Sequence, residues 1–198
     1  MNKDKLLLIV FYRNPQLGKV KNRLAATVGE ERALAIYLLM AAHARNISLP
    51  IPVDKTVYYS EFIDSEDNWL NHDFNKRLQH GSDLGEKMKH AFEESFNLGY
   101  ESVCIIGTDC LELTDKIVMA AFETLKHNDT VLGPAVDGGY YLLGMNRFIP
   151  DLFNNKTWST SSVCDDTIED LKRLRYSYQL LPTLHDVDME SDLPLHLR

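Results

Sequence analysis

Apolar and polar positions fall into two kinds of block that alternate along the chain. Leu6 to Phe11 is continuously apolar, the pattern of a strand covered on both faces and hence of a parallel sheet. Lys3 and Lys5 precede that run, but Arg13, Asn14 and Pro15 interrupt it at once. It is therefore too short for a secretory leader, whose apolar region spans roughly 7–15 residues, and a buried first strand is expected. A polar loop follows, and from Glu30 to about Asn46 the period becomes helical, with Leu34, Leu38, Ala41 and Ala42 on one stripe. Thr56 to Tyr59 is β-prone, and the acid-rich segment Glu61 to Asn75 suggests a surface excursion.

The second half repeats the alternation. Asp83 to about Asn97 predicts a helix with Leu84, Met88, Ala91, Phe92 and Phe96 on one face, opened by an Asp83–Glu86 capping box. Val103 to Ile106 is a buried-type strand ending in Gly107-Thr108-Asp109-Cys110, and Thr114 then caps a helix running to about Lys126, with Ile117, Ala121 and Leu125 inward. Strands at Val131 to Gly133 and Tyr140 to Leu143 flank the loop Pro134 to Gly139. A polar stretch around Trp158 to Ser162 leads into a helix through Leu171 and Leu174, and Ser177 to Leu181 is the last β-prone piece. There is no repeat, low-complexity tract or linker. The pattern predicts one α/β domain over residues 1–198.

Composition narrows the class. The 198 residues carry 21 Lys and Arg against 29 Asp and Glu, a formal net charge of -8. That balance argues against a dedicated nucleic-acid or anionic-membrane binder, and no run approaches the ~20 apolar residues of a membrane span. Cys104, Cys110 and Cys164 form no metal-type pair, so reduced thiols and a cytoplasmic location are expected. His43, His80, His90 and His185 show no zinc-type spacing, and Cys110 has no evident partner base.

Four segments carry candidate chemistry. The loop after the first strand holds Arg13, Gly18, Lys19, Lys21 and Arg23. In open α/β sheets ligands sit beyond the carboxyl ends of strands, where cations and loop amides attract phosphate. The segment is neither a Walker A loop nor G-x-G-x-x-G, and a solvated basic loop is the alternative. Asp109 closes a strand where a carboxylate is placed to hold a hard divalent cation, unless it serves only as a turn cap. Asp137-Gly138-Gly139 reads either as backbone meeting a ligand closely or as a two-residue hairpin turn. Asp186, Asp188, Glu190 and Asp192 are metal-ligand candidates or a solvated acidic tail. Trp69 reads as a core or surface aromatic, whereas Trp158 sits in a polar loop where it could line a pocket.

Together these blocks resemble a known family. FYRNPQLGKVKNRL (Phe11 to Leu24), QHGSDLGEKM (Gln79 to Met88), IGTDCLEL (Ile106 to Leu113), LGPAVDGGYYLLG (Leu132 to Gly144) and LHDVDMESDL (Leu184 to Leu193) occur in the order found in the DUF2064 group. That group resembles phospholactate guanylyltransferase and the molybdenum-cofactor guanylyltransferase, and its members are described as glycosyltransferases. The resemblance implies a three-layer α/β/α sandwich with a mostly parallel sheet and a GT-A-like nucleotide-diphospho-sugar transferase fold. It implies that Arg13, Gly18, Lys19, Lys21 and Arg23 bind nucleotide phosphates and that Gly81, Asp83, Leu84 and Gly85 lie near base or ribose. Asp137, Gly138, Gly139 and Trp158 would face the sugar or acceptor. Asp109, Asp186 and Asp188 would hold Mg²⁺ or Mn²⁺, with Asp109, Asp137 and Lys21 catalytic. The chain departs from the group's usual pattern at Leu111, Asn22 and Met189-Glu190-Ser191. The implied activity is glycosyl transfer from a nucleotide sugar to an unknown acceptor. Nucleotidyl transfer with release of pyrophosphate, or nucleotide binding without turnover, remain the other two expectations.

Overall fold

The computed structural model describes residues 5–197, so Lys3 lies outside the described residues. Seven strands form one sheet, and five α-helices cover its two faces. The chain runs β1 (Leu6–Tyr12), α1 (Asn22–Val28), α2 (Glu30–Ser48), β2 (Asp54–Tyr59), β3 (Asn75–Leu78), α3 (Leu84–Asn97), β4 (Ser102–Ile106) and α4 (Asp115–Thr124). It continues through β5 (Thr130–Pro134), β6 (Tyr140–Met145), α5 (Val163–Leu174) and β7 (Tyr178–Leu180).

The strand order is β3-β2-β1-β4-β6-β5-β7, with β6 antiparallel to both its neighbours and every other pairing parallel. The mostly parallel three-layer sandwich expected from the sequence is therefore present. Strand parity divides the core. Leu8, Val10, Cys104 and Ile106 face α1, α2 and α4 through Leu24, Tyr37, Met40, Val118 and Phe122. Leu7, Ile9, Val103 and Ile105 face α3 and α5 through Met88, Phe92, Cys164 and Leu171.

This topology fixes where a ligand fits. The chain leaves β1 toward β2 on one side, while β4 pairs on the other, so the connections after β1 and β4 diverge. At such a reversal of strand order, open α/β sheets admit ligands in a crevice outside the carboxyl ends of the strands. Because β6 runs antiparallel, its first residue, Tyr140, lies at the same edge of the sheet as the ends of β4, β5 and β7. Four loops thus meet at one rim.

Several local expectations are corrected. The sequence YLLMAAHA is apolar nearly all round, and α2 buries Ala33, Ile36, Tyr37, Met40, Ala41 and Ala44, leaving Leu38 exposed. Segment 61–75 is not only a surface excursion: Trp69 and Phe74 are buried, and Trp69 packs edge-on to Tyr12 at 5.5 Å. The β5–β6 connection is the loop 135–139, closed by Ala135 N–H donating to Gly139, rather than a two-residue turn. Asp83 caps α3 by accepting from Glu86 N at 2.8 Å, but Glu86 turns back to Ser82, so the capping box is displaced by one residue. Leu84 is exposed rather than on the buried face. In α4, Val118, Ala121 and Phe122 are buried, whereas Ile117 is only partly so.

Candidate functional site

The loop after β1 is held at its start by α2. Tyr37 projects its hydroxyl from the buried face of that helix, accepts from Arg13 N at 3.0 Å and donates to Arg13 O at 2.7 Å. Asn14, also buried, spans to the chain after β2: its side chain accepts from Glu61 N at 2.9 Å and donates to Phe62 O at 2.9 Å. Arg13 closes the loop by donating to Lys19 O at 3.4 Å, across a turn in which Lys19 N meets Gln16 O. Gly18 takes φ 72°, where a Cβ would press on the Glu30 carboxylate at 3.2 Å.

Lys21 is the centre of the arrangement. It takes left-handed backbone angles (φ 49°, ψ 48°) as the residue that opens α1, and its side chain is 6% exposed. Its ammonium lies 3.0 Å from Asp109 Oδ2 and 3.1 Å from Asp188 Oδ1. Burial alone would lower the lysine pKa, but the two carboxylates outweigh it and hold the pKa above the ordinary value. The neighbouring cations are much freer: Arg23 is 79% exposed and 3.7 Å from Asp188, and Lys19 is 60% exposed and 3.8 Å from Glu61.

Asp109 follows β4 across Gly107 and Thr108, and its carbonyl accepts from Val187 N at 2.9 Å. That bond docks the terminal segment on the rim. The segment is guided there by β7, whose direction it continues: Leu184 bridges to Ala135, and Val136 N donates to Leu184 O at 3.0 Å. Asp188 therefore faces Lys21 from the far end of the chain. Asp186, between these contacts, has Oδ1 buried without a hydrogen-bond partner. Its burial and the nearby Asp109 and Asp137 carboxylates push its pKa up to about 7, with Lys21 pulling the other way.

Asp137 is exposed, with Oδ1 accepting from Gly139 N at 2.9 Å. Gly138 takes φ 89°, and backbone crosses it closely: a Cβ there would fall 1.9 Å from Ser161 O. Cys164 N donates to its carbonyl at 3.0 Å, so the loop is clasped to the start of α5. Trp158 is engaged on two sides. It stacks on Phe153 at 6.2 Å, and its indole occupies the space a Cβ on Gly85 would need, 2.0 Å from Nε1. Gly85 is thus explained by packing against Trp158, and Asp83 by capping α3. Gly81 takes φ 138° against the first turn of α3.

The structure brings together Lys21, Arg23, Asp109, Asp186 and Asp188, with Asp137 close enough to act on Asp186. It places Gly81, Asp83, Leu84 and Gly85 at the first turn of α3, with Trp158 packed against Gly85. Tyr37 and Asn14 escaped the sequence reading; an Asn just beyond a strand and before Pro15 is the one local signal for Asn14. Among the described residues no group of three or more His, Cys, Asp and Glu side chains stands ready to enclose a metal ion. Asp109 and Asp188 nevertheless share one cation already, the Lys21 ammonium, and Asp186 offers an unpartnered oxygen. This donor set fits an open, hard-oxygen cation site that other ligands would complete. Cys104, Cys110 and Cys164 are buried free thiols, and no described helix is long and apolar enough to cross a membrane.

Comparison with known proteins places this rim in context. Residues 44–160 match the family model described as "Uncharacterized protein conserved in bacteria (DUF2064)". A crystal structure of a "putative nucleotide-diphospho-sugar transferase" from Desulfovibrio desulfuricans G20 superposes with a TM-score of 0.88 at 32% identity, covering 94% of this chain and 84% of that one. The inositol-1-phosphate CTP transferase of T. maritima gives a TM-score of 0.58 at 12% identity, over 100% and 95% of the two chains. CMP:2-keto-3-deoxy-manno-octonic acid synthetase complexed with CTP gives 0.55 at 8% identity, over 94% of each chain. These last two share the fold alone. No curated protein matches the sequence. The fold is that of the nucleotide-diphospho-sugar transferases, and with the family match and the Desulfovibrio relative in agreement, the chain belongs to the DUF2064 family.

Proposed function

We propose that the protein is a transferase acting on the diphosphate of a nucleotide substrate, and more specifically a Mg²⁺- or Mn²⁺-dependent glycosyltransferase that uses a nucleotide-sugar donor. The observation that carries the reading is the buried Lys21 ammonium between Asp109 and Asp188 at the switch-point crevice. Cations and carboxylates from opposite ends of the chain converge where this fold admits ligands. The Desulfovibrio relative, described as a nucleotide-diphospho-sugar transferase, favours a nucleotide-sugar donor.

In this reading Lys19 and Arg23, exposed beside the crevice, capture the diphosphate, and Lys21 neutralises charge on the departing nucleotide. Asp109 and Asp188, joined by Asp186, would hold the divalent ion, which supplies Lewis-acid polarisation of phosphate oxygens. Asp137, on the exposed loop clasped to α5, orients an acceptor hydroxyl and takes its proton as the new bond forms. The acceptor oxygen then bonds to the anomeric carbon while the bond from that carbon to the diphosphate oxygen breaks. No nucleic acid or integral membrane partner enters this scheme, and the buried thiols accord with the reducing cytoplasm that the sequence suggests.

Nucleotidyl transfer is the second reading, favoured by the T. maritima CTP transferase, whose fold matches along all of this chain. There the acceptor attacks the α-phosphorus and pyrophosphate leaves. Product analysis separates the two. Release of nucleoside diphosphate from a nucleotide sugar is expected; pyrophosphate from a nucleoside triphosphate would overturn glycosyl transfer in favour of the second reading. Nucleotide binding with no product from any donor, acceptor and metal would leave a binding module.

A further inference from the structure

We propose that the Lys21 ammonium competes with the divalent cation for Asp109 and Asp188, so that metal binds well only when a diphosphate draws Lys21 away. The inference rests on the metal–diphosphate reading above but adds something that reading does not require: an order of binding enforced by one side chain.

The geometry supplies each part. Lys21 Nζ lies 3.0 and 3.1 Å from one oxygen each of Asp109 and Asp188. An ammonium that shares two carboxylates excludes a second cation from the space between them by charge and by volume. The side chain is 6% exposed, whereas the two aspartates are 44% and 41% exposed. The lysine is thus the inner partner, and a cation arriving from solvent meets carboxylates whose charge is already partly compensated. Lys21 also holds left-handed backbone angles, which a non-glycine residue rarely adopts.

Nothing comparable holds Lys19 or Arg23, whose exposed groups reach an arriving diphosphate first. The four-carbon lysine stem then lets Nζ move from carboxylate to phosphate with its backbone fixed. Once it has moved, Asp109 and Asp188 face each other uncompensated, with the unpartnered Asp186 oxygen nearby. That is the state in which a hard cation binds well. By reciprocity, whatever raises metal affinity in this way raises anion affinity by the same factor.

Mn²⁺ is titrated into the protein without any nucleotide, and the free ion is read by electron paramagnetic resonance. Wild type is expected to bind weakly, Lys21→Met roughly tenfold or more tightly, and Lys21→Arg as weakly as wild type. Lys21→Gln serves if the methionine variant does not melt cooperatively. Adding Asp109→Ala to Lys21→Met is expected to abolish the gain. Equal Mn²⁺ affinity in wild type and Lys21→Met would overturn the placeholder role, and so would a gain that survives Asp109→Ala. Because no nucleotide is present, these results stand apart from the nucleotide-binding and product assays: no gain in Lys21→Met beside a protein that turns over a nucleotide would overturn this inference and leave the assigned function standing.

Discussion

Asp186 carries an unusual charge state for a surface-segment aspartate. Its Oδ1 is shut off without a partner, and burial with Asp109 and Asp137 pushes its pKa from 3.8 up to about 7. A carboxyl whose folded pKa exceeds its unfolded value stabilises the fold fully below the unfolded pKa, and that stability is lost as pH rises through the folded one. Asp186 therefore costs stability progressively between about pH 4 and 7. Asp186→Asn keeps the shape and removes the titration. We predict no difference in melting temperature from wild type near pH 4 and a gain above pH 7, at about 2–4 °C per kcal/mol recovered. Melting curves at both pH values check this, and a constant offset would contradict it. The sequence marked Asp186 as acidic and terminal, but its buried oxygen depends on the Val187–Asp109 bond, a contact between distant segments that no local pattern encodes.

At the level of elements, the rim is shaped by helices that reach into it from outside. Tyr37 on α2 grips both the N–H and C=O of Arg13, setting the direction in which the basic loop leaves β1. Tyr37→Phe keeps the buried ring and deletes those two bonds. We expect a loss of about 1–2 kcal/mol of stability, seen by denaturant titration, and a weaker affinity for the nucleotide that binds wild type. Unchanged stability and affinity would remove Tyr37 from the loop's support. This role was illegible in the sequence because α2 is apolar on nearly all sides, so periodicity selected Leu38 for the core and overlooked Tyr37. Elements with strong patterns, the continuously apolar β1 and β4 and the one-sided α3, lie where the sequence predicts them to within a residue or so. The short α1 and the polar edge strand β3 were not foreseen, since Asn75-Lys76-Arg77-Leu78 carries no strand alternation and owes its shape to pairing with β2. Trp69 and Phe74 entered the core by the same kind of tertiary override, packing on each other at 5.0 Å within a segment whose composition is polar.

For the molecule as a whole, a net charge of -8 describes the surface poorly at the one place that matters. Cations between Arg13 and Arg23 and acids between Asp186 and Asp192 lie at opposite ends of the chain. The parallel sheet carries both to one rim, where Lys21 and Arg23 meet Asp188. Both clusters were visible in the sequence; their meeting followed from the α/β alternation together with the family resemblance, and neither residue spacing nor charge alone implied it. The central claim is that Asp109 belongs to a site where divalent metal and nucleotide bind together. It is tested most directly by thermal unfolding with a panel of nucleotides and nucleotide sugars, each with and without Mn²⁺, on wild type and Asp109→Ala. Saturation at a hundredfold excess over Kd adds about 2.7 kcal/mol, roughly 5–10 °C for a chain of this size. The account predicts a shift of that order for at least one ligand in wild type, larger with Mn²⁺, and no metal-dependent part in Asp109→Ala. A metal-enhanced shift that survives in Asp109→Ala, or no shift with any ligand, would contradict it.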